Sequence, residues 1–333
     1  MRRWLRRANI VFCVLFAAFL TLLTVSTAGL LIEDTGPVSA RAHTMDDDAL
    51  WMGHSWVNGQ DGPAALTALE ARLKGSGIRY LFVHAGPLSA DGSLNAALDP
   101  KARWLTTALH SAIRSGALPH VVVEAWLGDI VGGGGLNLDS AATRDRIAGS
   151  VRQVFGYGFD GVHLDLEPVG TGDPGYLALL GQVHQLTRQA GKQLSVSVPP
   201  VELTGGLHSV TPGQWWTSAY LRSVADRVDQ VAIMTYDISM APTSGVYSGY
   251  VHRETEVALR AVPADVTLLI GVPAYQTTGV WLISGSENVA AGIRGVRLAI
   301  SPDPPDRPLG VALYVDFTAT AQDWASYQQD WVK

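Results

Sequence analysis

The sequence predicts a single (β/α)8 TIM barrel preceded by an N-terminal transmembrane or signal segment. Eight short apolar runs alternate with eight segments of helical periodicity after residue 48, a pattern typical of a parallel sheet covered by helices on both faces. These units occupy about 285 residues, the usual size of such a barrel. An open doubly wound sheet is the alternative, but no glycine-rich phosphate-binding turn follows the first strand.

The predicted elements follow one another in a regular order. Strands are expected at 50–57, 79–85, 120–127, 161–167, 194–199, 230–237, 266–275 and 310–317. Helices are expected at 63–74, 101–115, 140–155, 176–190, 214–224, 253–262, 287–299 and 319–331. Because catalytic side chains of such barrels lie at the C-terminal ends of the strands, the polar and aromatic residues found there are candidates. They include His54, Trp56, His84, Glu124, Trp126, Tyr275, Gln276, Tyr314 and Asp316.

Composition indicates a globular chain that does not bind nucleic acid. Of the 333 residues, 47% are hydrophobic and 16% are charged, which permits a large core and argues against disorder. The net charge of −6 and the isoelectric point of about 5.8 provide no basic field for a phosphate backbone. We therefore expect an uncharged partner.

The first 32 residues predict a signal anchor or a signal peptide. The opening MRRWLRR carries four arginines and precedes an uncharged run at 8–32, which is long enough to cross a hydrocarbon layer of about 30 Å. Arginines stay on the cytoplasmic side, so the rest of the chain is expected outside the cytoplasm. Small residues at 26–28 and 38–40 leave cleavage and secretion as the alternative.

These signals divide the chain into a membrane or signal segment at 1–32, a linker at 33–48 and a barrel domain at 49–333. The linker is polar, contains Gly and Pro, and lacks periodicity. Cys13, the only cysteine, lies within the apolar run, so the barrel is expected to be held by its core without disulfides. We expect a single-pass protein of the cell membrane that is a monomer.

The stretch GFDGVHLDLEP places an unusual amount of charge in a predicted strand. Side chains alternate along a strand, so His163, Asp165 and Glu167 share one face while the valine and leucines between them share the other. The apolar face must contact the surrounding helices. The polar face therefore points into the barrel, with Glu167 nearest the mouth.

Two carboxyl groups on one strand face can influence each other's protonation. Residues two apart have α-carbons roughly 6 to 7 Å apart, and burial and a neighbouring anion both raise a carboxyl pKa. Glu167 is thus a candidate general acid. A buried ion pair is one alternative, although Arg79 is the only cation in the nearby strands. A divalent metal held with His54, His84 or Glu124 is the other.

The same stretch resembles the fourth-strand signature of glycoside hydrolase family 18, the chitinase family. The family pattern is Asp-Gly-x-Asp-x-Asp-x-Glu, and Asp160, Gly161, Asp165 and Glu167 match it, whereas His163 replaces the first aspartate of the Asp-x-Asp-x-Glu core.

A second motif supports the resemblance on the sixth predicted strand. MTYD resembles the family's Met-x-Tyr-Asp at Met234, Tyr236 and Asp237, and GVPAY on the seventh strand is similar as well. Two motifs in the correct order are more specific than either alone, and the resemblance spans about residues 49 to 333.

The resemblance implies a retaining, substrate-assisted glycosidase without a cofactor. In this family the acetamido oxygen of the substrate attacks the anomeric carbon, so the mechanism with two enzyme carboxylates that most glycosidases use does not apply. It implies that Glu167 is the general acid and later the base. It also implies that Asp165 holds the acetamido N–H, that Tyr236 steadies the acetamido carbonyl, and that Asp237 binds the sugar or tunes the site.

Several positions depart from the family pattern. An imidazole at His163 is expected to orient Asp165 and to change the pH profile. The third strand reads VEAWLG where relatives have a Ser-x-Gly-Gly turn, which brings in Glu124 and Trp126. Tyr314 stands near the place of the tryptophan that floors the sugar site of chitinases.

The remaining candidates would contact a sugar at the barrel mouth. Trp56, Trp126, Tyr275, Tyr314 and Trp281 offer aromatic faces for stacking on sugar rings, with Asp237, His163 and Glu124 as polar contacts. The sequence therefore predicts a glycosidase acting on a glycan that contains N-acetylhexosamine. A non-hydrolytic glycan-binding barrel and a metal-dependent hydrolase remain the alternatives.

Overall fold

The computed structural model describes residues 2–203, 205–211, 213–238, 241–275 and 285–333. Within them, eight parallel strands pair in sequence order and the last pairs with the first, so the sheet closes into a barrel. The strands are β1 (Asp48–Met52), β2 (Ile78–His84), β3 (Val122–Ile130), β4 (Gly161–Glu167), β5 (Gln193–Val198), β6 (Gln230–Met234), β7 (Thr267–Pro273) and β8 (Leu309–Tyr314). The predicted (β/α)8 fold class is confirmed.

Helices alternate with the strands along the chain. They are α1 (Arg2–Glu33), α2 (Ser55–Asn58), α3 (Pro63–Leu73), α4 (Ala102–Arg114), α5 (Ala141–Gly156), α6 (Pro174–Gln189), α7 (Leu207–Val210), α8 (Ser218–Ala225), α9 (Ser244–Ala261), α10 (Val289–Ile300) and α11 (Ala321–Tyr327), with a 3-10 turn at Ala96–Leu98 and a π-helical turn at Gln328–Val332. Polar side chains cap several of these helices, and Thr320 and Asp323 form a capping box at α11.

The hydrophobic core has two layers separated by the sheet. A large cluster lies between the strands and the outer helices and includes Leu164 and Leu166 of β4. A small cluster fills the inside of the barrel around Trp51 and Phe82. His163 stacks on Phe82 with ring centroids 3.9 Å apart, so the polar face of β4 points inward as the alternation predicted.

The first strand ends earlier than predicted. The run at 50–57 was expected to be one strand, but β1 stops at Met52 and the next residues form the short helix α2. The chain passes close to Phe317 at this turn, since a Cβ on Gly53 would lie 2.6 Å from the Phe317 ring. Short apolar runs do not distinguish a strand from a helical turn, which is why the sequence prediction was wrong here.

Helix α9 starts earlier than predicted. The glycines in its first turns weaken the helical signal in the sequence, so the prediction missed these turns. The helix was expected at 253–262, but α9 begins at Ser244. Glycine weakens a helix prediction, yet Gly249 lies directly against the backbone of Leu30 in α1, where a Cβ would not fit. Packing therefore requires the residue that local propensity disfavours.

The end of α1 and the following segment lie on the barrel surface. The Asp34 carboxylate accepts a hydrogen bond from Arg294 Nε at 2.8 Å, and the Ala42 carbonyl accepts one from Arg297 Nε at 2.7 Å. The segment assigned as a linker therefore runs along α10 before β1 begins. Among the described residues, Phe12–Glu33 is the one helix long and apolar enough to cross a membrane, with a mean hydropathy of 2.2, by length and composition alone.

Asp48 joins the first strand, the last strand and the C-terminal helix at the bottom of the barrel. Its side chain is fully buried and accepts hydrogen bonds from the Val311 amide at 2.7 Å, the Trp331 indole at 2.8 Å and the Tyr327 hydroxyl at 2.9 Å. The Thr44 hydroxyl also donates to it. The Tyr327 hydroxyl also lies 2.6 Å from the Ser76 carbonyl, so its single proton is shared between two acceptors. Together these contacts to one carboxylate close the seam between β1 and β8.

Replacing this carboxylate should destabilise the whole barrel. In Asp48→Asn, the amide NH2 would face donors instead of accepting from them, which leaves buried groups unpaired and should lower the free energy of unfolding by about 2 to 4 kcal/mol. Chemical denaturation measures this change. Asp139→Asn, at an exposed position, is the control and should stay within about 0.5 kcal/mol of the wild type. Equal stability of the two variants would contradict the role given to Asp48.

Candidate active site

The inner face of β4 presents three polar side chains at increasing height. His163 is fully buried, Asp165 is half-buried, and Glu167 is exposed at the C-terminal end of the strand. This gradient follows from the inward direction of alternate residues in a barrel strand. The C-terminal ends of the strands, where barrel active sites lie, therefore carry the two carboxyl groups predicted from the sequence.

One carboxyl oxygen of Asp165 accepts a hydrogen bond, and the other has no partner among the described residues. Its Oδ2 atom accepts a hydrogen bond from the Trp126 indole N–H at 2.8 Å. Its Oδ1 atom is buried and forms no hydrogen bond of normal geometry with the described residues. Burial raises the pKa of Asp165 to about 6, although the Trp126 and Ser197 donors act to lower it. One oxygen is thus available to a ligand.

Glu167 is a carboxylic acid poised near neutral pH. Desolvation inside the barrel mouth raises its pKa to about 7, with the charges of Asp165 and Asp237 acting in the same direction. The residue as a whole remains exposed to solvent. No hydrogen bond between described residues joins the carboxyl groups of Asp165 and Glu167, so the two groups influence each other through charge.

Tyr236 stands across from these carboxyl groups within a cluster of tyrosines. Its ring stacks on Tyr314 with centroids 5.1 Å apart and meets Tyr275 edge-on at 6.1 Å. Gly271 makes room for it, since a Cβ there would lie 2.9 Å from the Tyr236 ring. Burial and the nearby carboxylates hold the pKa of Tyr236 well above its usual value. Its hydroxyl therefore remains a hydrogen-bond donor.

Asp237 is exposed at the mouth and has an unusual backbone. Its φ of 56° lies in the left-handed region, which few non-glycine residues adopt. The Asp237 amide donates to Glu287 Oε2 at 2.6 Å, which holds this conformation. Burial raises the pKa of the Tyr275 hydroxyl, and the carboxylate of Asp237 acts in the same direction. The sequence did not identify Glu287, because it lies fifty residues away on another loop.

His84 lies beside Trp126 near the rim, and His54 lies beside His84. The His84 ring lies 4.7 Å from the Trp126 ring and 5.4 Å from the His54 ring. Burial lowers the pKa of His84 to about 4, so it is neutral.

Among the described residues no group of three or more His, Cys, Asp or Glu side chains is placed to hold a metal ion. The alternative of a metal site built with His54, His84 or Glu124 therefore has no geometric support.

Three of the predicted contact residues lie below or behind the mouth. Trp56 belongs to α2, is 6% exposed, and donates its indole N–H to Asp316 Oδ2 at 2.7 Å. Glu124 and His163 are fully buried, and burial raises the pKa of Glu124 well above its usual value. None of the three offers a free surface to a ligand. Gln276 and Trp281 lie outside the described residues.

His163 does not act on Asp165 in the way the sequence suggested. Its nitrogens contact Ser195 Oγ at 2.7 Å and Ser197 Oγ at 2.8 Å, and no hydrogen bond joins it to Asp165. Desolvation lowers its pKa to about 3, so it stays neutral through the working range of most enzymes. A titrating imidazole at this position is therefore not expected. The two serines were missed, although their Ser-x-Ser alternation on β5 is visible in the sequence.

Two exposed apolar side chains flank the mouth and were also missed. Ile130 pairs in register with Glu167 and is 64% exposed, while Phe317 follows β8 and is 67% exposed. Apolar groups beside a polar cleft are common at ligand sites. Only the closed barrel brings these two positions to the same rim.

The hydrogen bond from Trp126 to Asp165 can be tested by its effect on the Asp165 pKa. Trp126→Phe removes the indole donor that stabilises the anion, so the apparent pKa of Asp165 should rise by about one unit. Carboxyl carbon NMR titration of the labelled protein reports it. Trp56→Phe is the matched control, because it removes an indole donor from Asp316 instead and should leave the Asp165 titration in place. An unchanged titration in Trp126→Phe would refute the assignment of this bond.

Comparisons with known proteins agree on the fold. No family model matches the sequence, and no curated protein matches it in a sequence search. Among solved structures, a chitinase from Chromobacterium violaceum matches with a TM-score of 0.57 at 18% identity, covering 85% of this chain and 98% of that one.

Two further structures are similar to the same degree. The spore cortex-lytic enzyme SleL of Bacillus cereus has a TM-score of 0.60 at 12% identity, covering 89% of this chain and 76% of that one. The Ostrinia furnacalis Group IV chitinase has a TM-score of 0.56 at 16% identity, covering 86% and 99%. At these identities the likeness establishes the barrel fold that the chain shares with them.

Proposed function

We propose that this chain is a glycoside hydrolase that cleaves a glycan containing N-acetylhexosamine with retention of configuration. One observation carries the proposal: Glu167, with a pKa of about 7, stands beside an Asp165 carboxyl whose Oδ1 atom is free. Similarity of the fold to chitinases and to a cortex-lytic enzyme supports it, as do the two sequence motifs that resemble glycoside hydrolase family 18.

The first step requires an acid at the barrel mouth. Glu167 is protonated below about pH 7 and donates its proton to the glycosidic oxygen of the leaving sugar. The substrate's acetamido oxygen attacks the anomeric carbon from the other face and forms a cyclic oxazolinium ion. The enzyme supplies no nucleophile in this scheme, which is the known exception to the two-carboxylate pattern.

Asp165 and Tyr236 act on the acetamido group. The free Oδ1 atom of Asp165 accepts the acetamido N–H and stabilises the positive charge that develops on the ring. The Tyr236 hydroxyl, which stays protonated, donates to the acetamido carbonyl oxygen and directs it toward the anomeric carbon. Glu167, now an anion, then accepts a proton from the water that opens the ring. Two inversions at one carbon give net retention.

The rim binds the sugar. Trp126, Tyr275 and Tyr314 are partly exposed around the carboxyl groups and offer ring faces and edges to the apolar side of a pyranose. Asp237 is exposed beside them and accepts hydrogen bonds from sugar hydroxyls. Trp56, Glu124 and His163 support this surface from below and are assigned no direct contact with the substrate. The proposed mechanism needs no cofactor.

The substrate is a glycan of the cell envelope in this proposal. The apolar N-terminal helix supports placement of the barrel outside the cytoplasm, anchored by a single span in the cell membrane or secreted after cleavage. Peptidoglycan or a surface polysaccharide is then proposed as the substrate in preference to chitin. The barrel acts as a monomer, and nucleic acid is no partner because the chain carries a net charge of −6.

Hydrolysis of a defined substrate tests the proposal. Purified protein is incubated with a panel of N-acetylated glycans, including peptidoglycan and chitin oligomers, and the products are identified by mass spectrometry. Glu167→Gln should lower turnover by more than about 1000-fold while leaving the fold and glycan binding unchanged, because only the transferable proton is lost. Wild-type turnover in this variant would sink the mechanism. Binding without turnover by the wild type would favour the glycan-binding barrel.

The pH dependence of turnover follows from the shifted carboxyl groups. The pKa of Glu167 is raised to about 7, and this residue must be protonated, so kcat should fall as pH rises through about 7. Asp165 must be an anion, and its pKa of about 6 should define the fall on the acid side. Asp237→Asn removes an anion that raises the Glu167 pKa, so the alkaline limb should move to lower pH. A limb that stays in place would contradict this assignment.

A further inference from the structure

Two serine hydroxyls on the inner face of β5 meet the two nitrogens of His163. Ser195 Oγ lies 2.7 Å from Nδ1 and Ser197 Oγ lies 2.8 Å from Nε2. Both serines are buried, at 0% and 3% exposure. The register of β4 and β5 pairs Leu164 with Val196, so Asp165 and Ser197 follow as inward-facing neighbours at the ends of these strands. Burial raises the pKa of Asp165, and the neighbouring Ser197 hydroxyl acts to lower it. In the structure this hydroxyl is hydrogen-bonded to the imidazole and lies next to the carboxyl group.

The surrounding donors fix the tautomer of His163. The Trp51 indole can only donate, and it donates to Nε2 at 3.1 Å, so Nε2 carries a lone pair. The proton of the neutral ring is then on Nδ1 and is donated to Ser195 Oγ. Ser195 in turn donates to Gln230 Oε1 at 2.8 Å. In this series of hydrogen bonds each donor has one assigned acceptor, except the Ser197 hydroxyl.

The Ser197 hydroxyl has one proton and two acceptors. It can donate to His163 Nε2 or to the Asp165 carboxylate. Because the Trp51 N–H already serves Nε2, the hydroxyl can turn toward Asp165 without leaving a buried nitrogen unpaired. When Asp165 is protonated, the same hydroxyl can donate to Nε2 instead.

We propose that Ser197 is a positioning residue for Asp165 whose hydroxyl turns from His163 to the carboxylate when Asp165 loses its proton. This inference rests on the proposed function and deepens it. When Asp165 is protonated, the neutral His163 ring accepts the hydrogen bond from Ser197 at Nε2 and so holds the hydroxyl in place. His163 stands where glycoside hydrolase family 18 has an aspartate, and in this proposal it acts on Asp165 through the Ser197 hydroxyl.

The test compares two serines on the same strand face. Ser197→Ala and Ser195→Ala each delete one buried hydroxyl, but only the first removes a donor that reaches Asp165. With the full-length protein in detergent and a fluorogenic N,N′-diacetylchitobioside as probe, Ser197→Ala should lower kcat by about 10- to 100-fold with little change in KM. The acid limb of its pH profile should move up by about one unit. Ser195→Ala should leave that limb in place.

Conservative replacements separate positioning from general damage. Ser197→Thr restores a hydroxyl and should bring the acid limb back. His163→Gln keeps an oxygen that can accept from Trp51 and an amide that can donate to Ser195, so its limb should resemble the wild type. Equal shifts of the acid limb in Ser197→Ala and Ser195→Ala, or no shift in either, would overturn the proposal.

A readout without turnover keeps this inference separate from the proposed function. Carboxyl carbon NMR titration should show a higher Asp165 pKa in Ser197→Ala than in Ser195→Ala, whether or not the probe is cleaved. Nitrogen-15 NMR should show His163 as the Nδ1–H tautomer from pH 5 to 9, assigned by its loss in His163→Gln. An inactive wild type with these titrations intact would overturn only the glycosidase. An active wild type with equal Asp165 titrations in the two alanine variants would overturn only the positioning role.

Discussion

The enclosure of polar β4 side chains by a closed barrel is the constraint on which the rest of the site depends. Closure shields the inner face of β4 increasingly below its exposed C-terminal end, and desolvation raises the pKa of Asp165 to about 6 and that of Glu167 to about 7. A carboxyl group on an open sheet edge would remain ionised at those pH values. The same wall that holds the fold together therefore provides the protonated carboxyl group that the proposed reaction requires.

Enclosure also makes hydrogen-bond partners important for buried polar groups. Asp165 and His163 find theirs among neutral groups rather than cations: Asp165 accepts from Trp126, and His163 accepts from Trp51 and donates to Ser195. Neutral donors orient a carboxyl group without pulling its pKa as far down as an ion pair would. The choice of indoles and hydroxyls is thus consistent with a site that needs carboxyl groups titrating near neutral pH.

The fold was largely predictable because its signals are local and repeated. Eight apolar runs with helices between them indicate a closed parallel sheet, and β4 was predicted at its observed bounds. Errors occurred where a contact distant in sequence overrides the local pattern. The chain leaves β1 at Gly53 beside Phe317, and α9 extends through Gly249 because Leu30 packs against it. No local pattern reveals either contact.

The sequence by itself determined which side chains of β4 face inward, because alternation along a strand is a local property. The resemblance of two motifs to glycoside hydrolase family 18 then singled out Asp165, Glu167 and Tyr236 as candidate site residues. Only the tertiary structure decided what each one touches. It showed His163 to be neutral and fully buried, accepting a hydrogen bond at Nε2 and donating one from Nδ1, and it placed Trp56 and Glu124 behind the surface. Hydrogen-bond partners and desolvation depend on residues from different strands, and the sequence order of those strands does not specify the distances between their atoms.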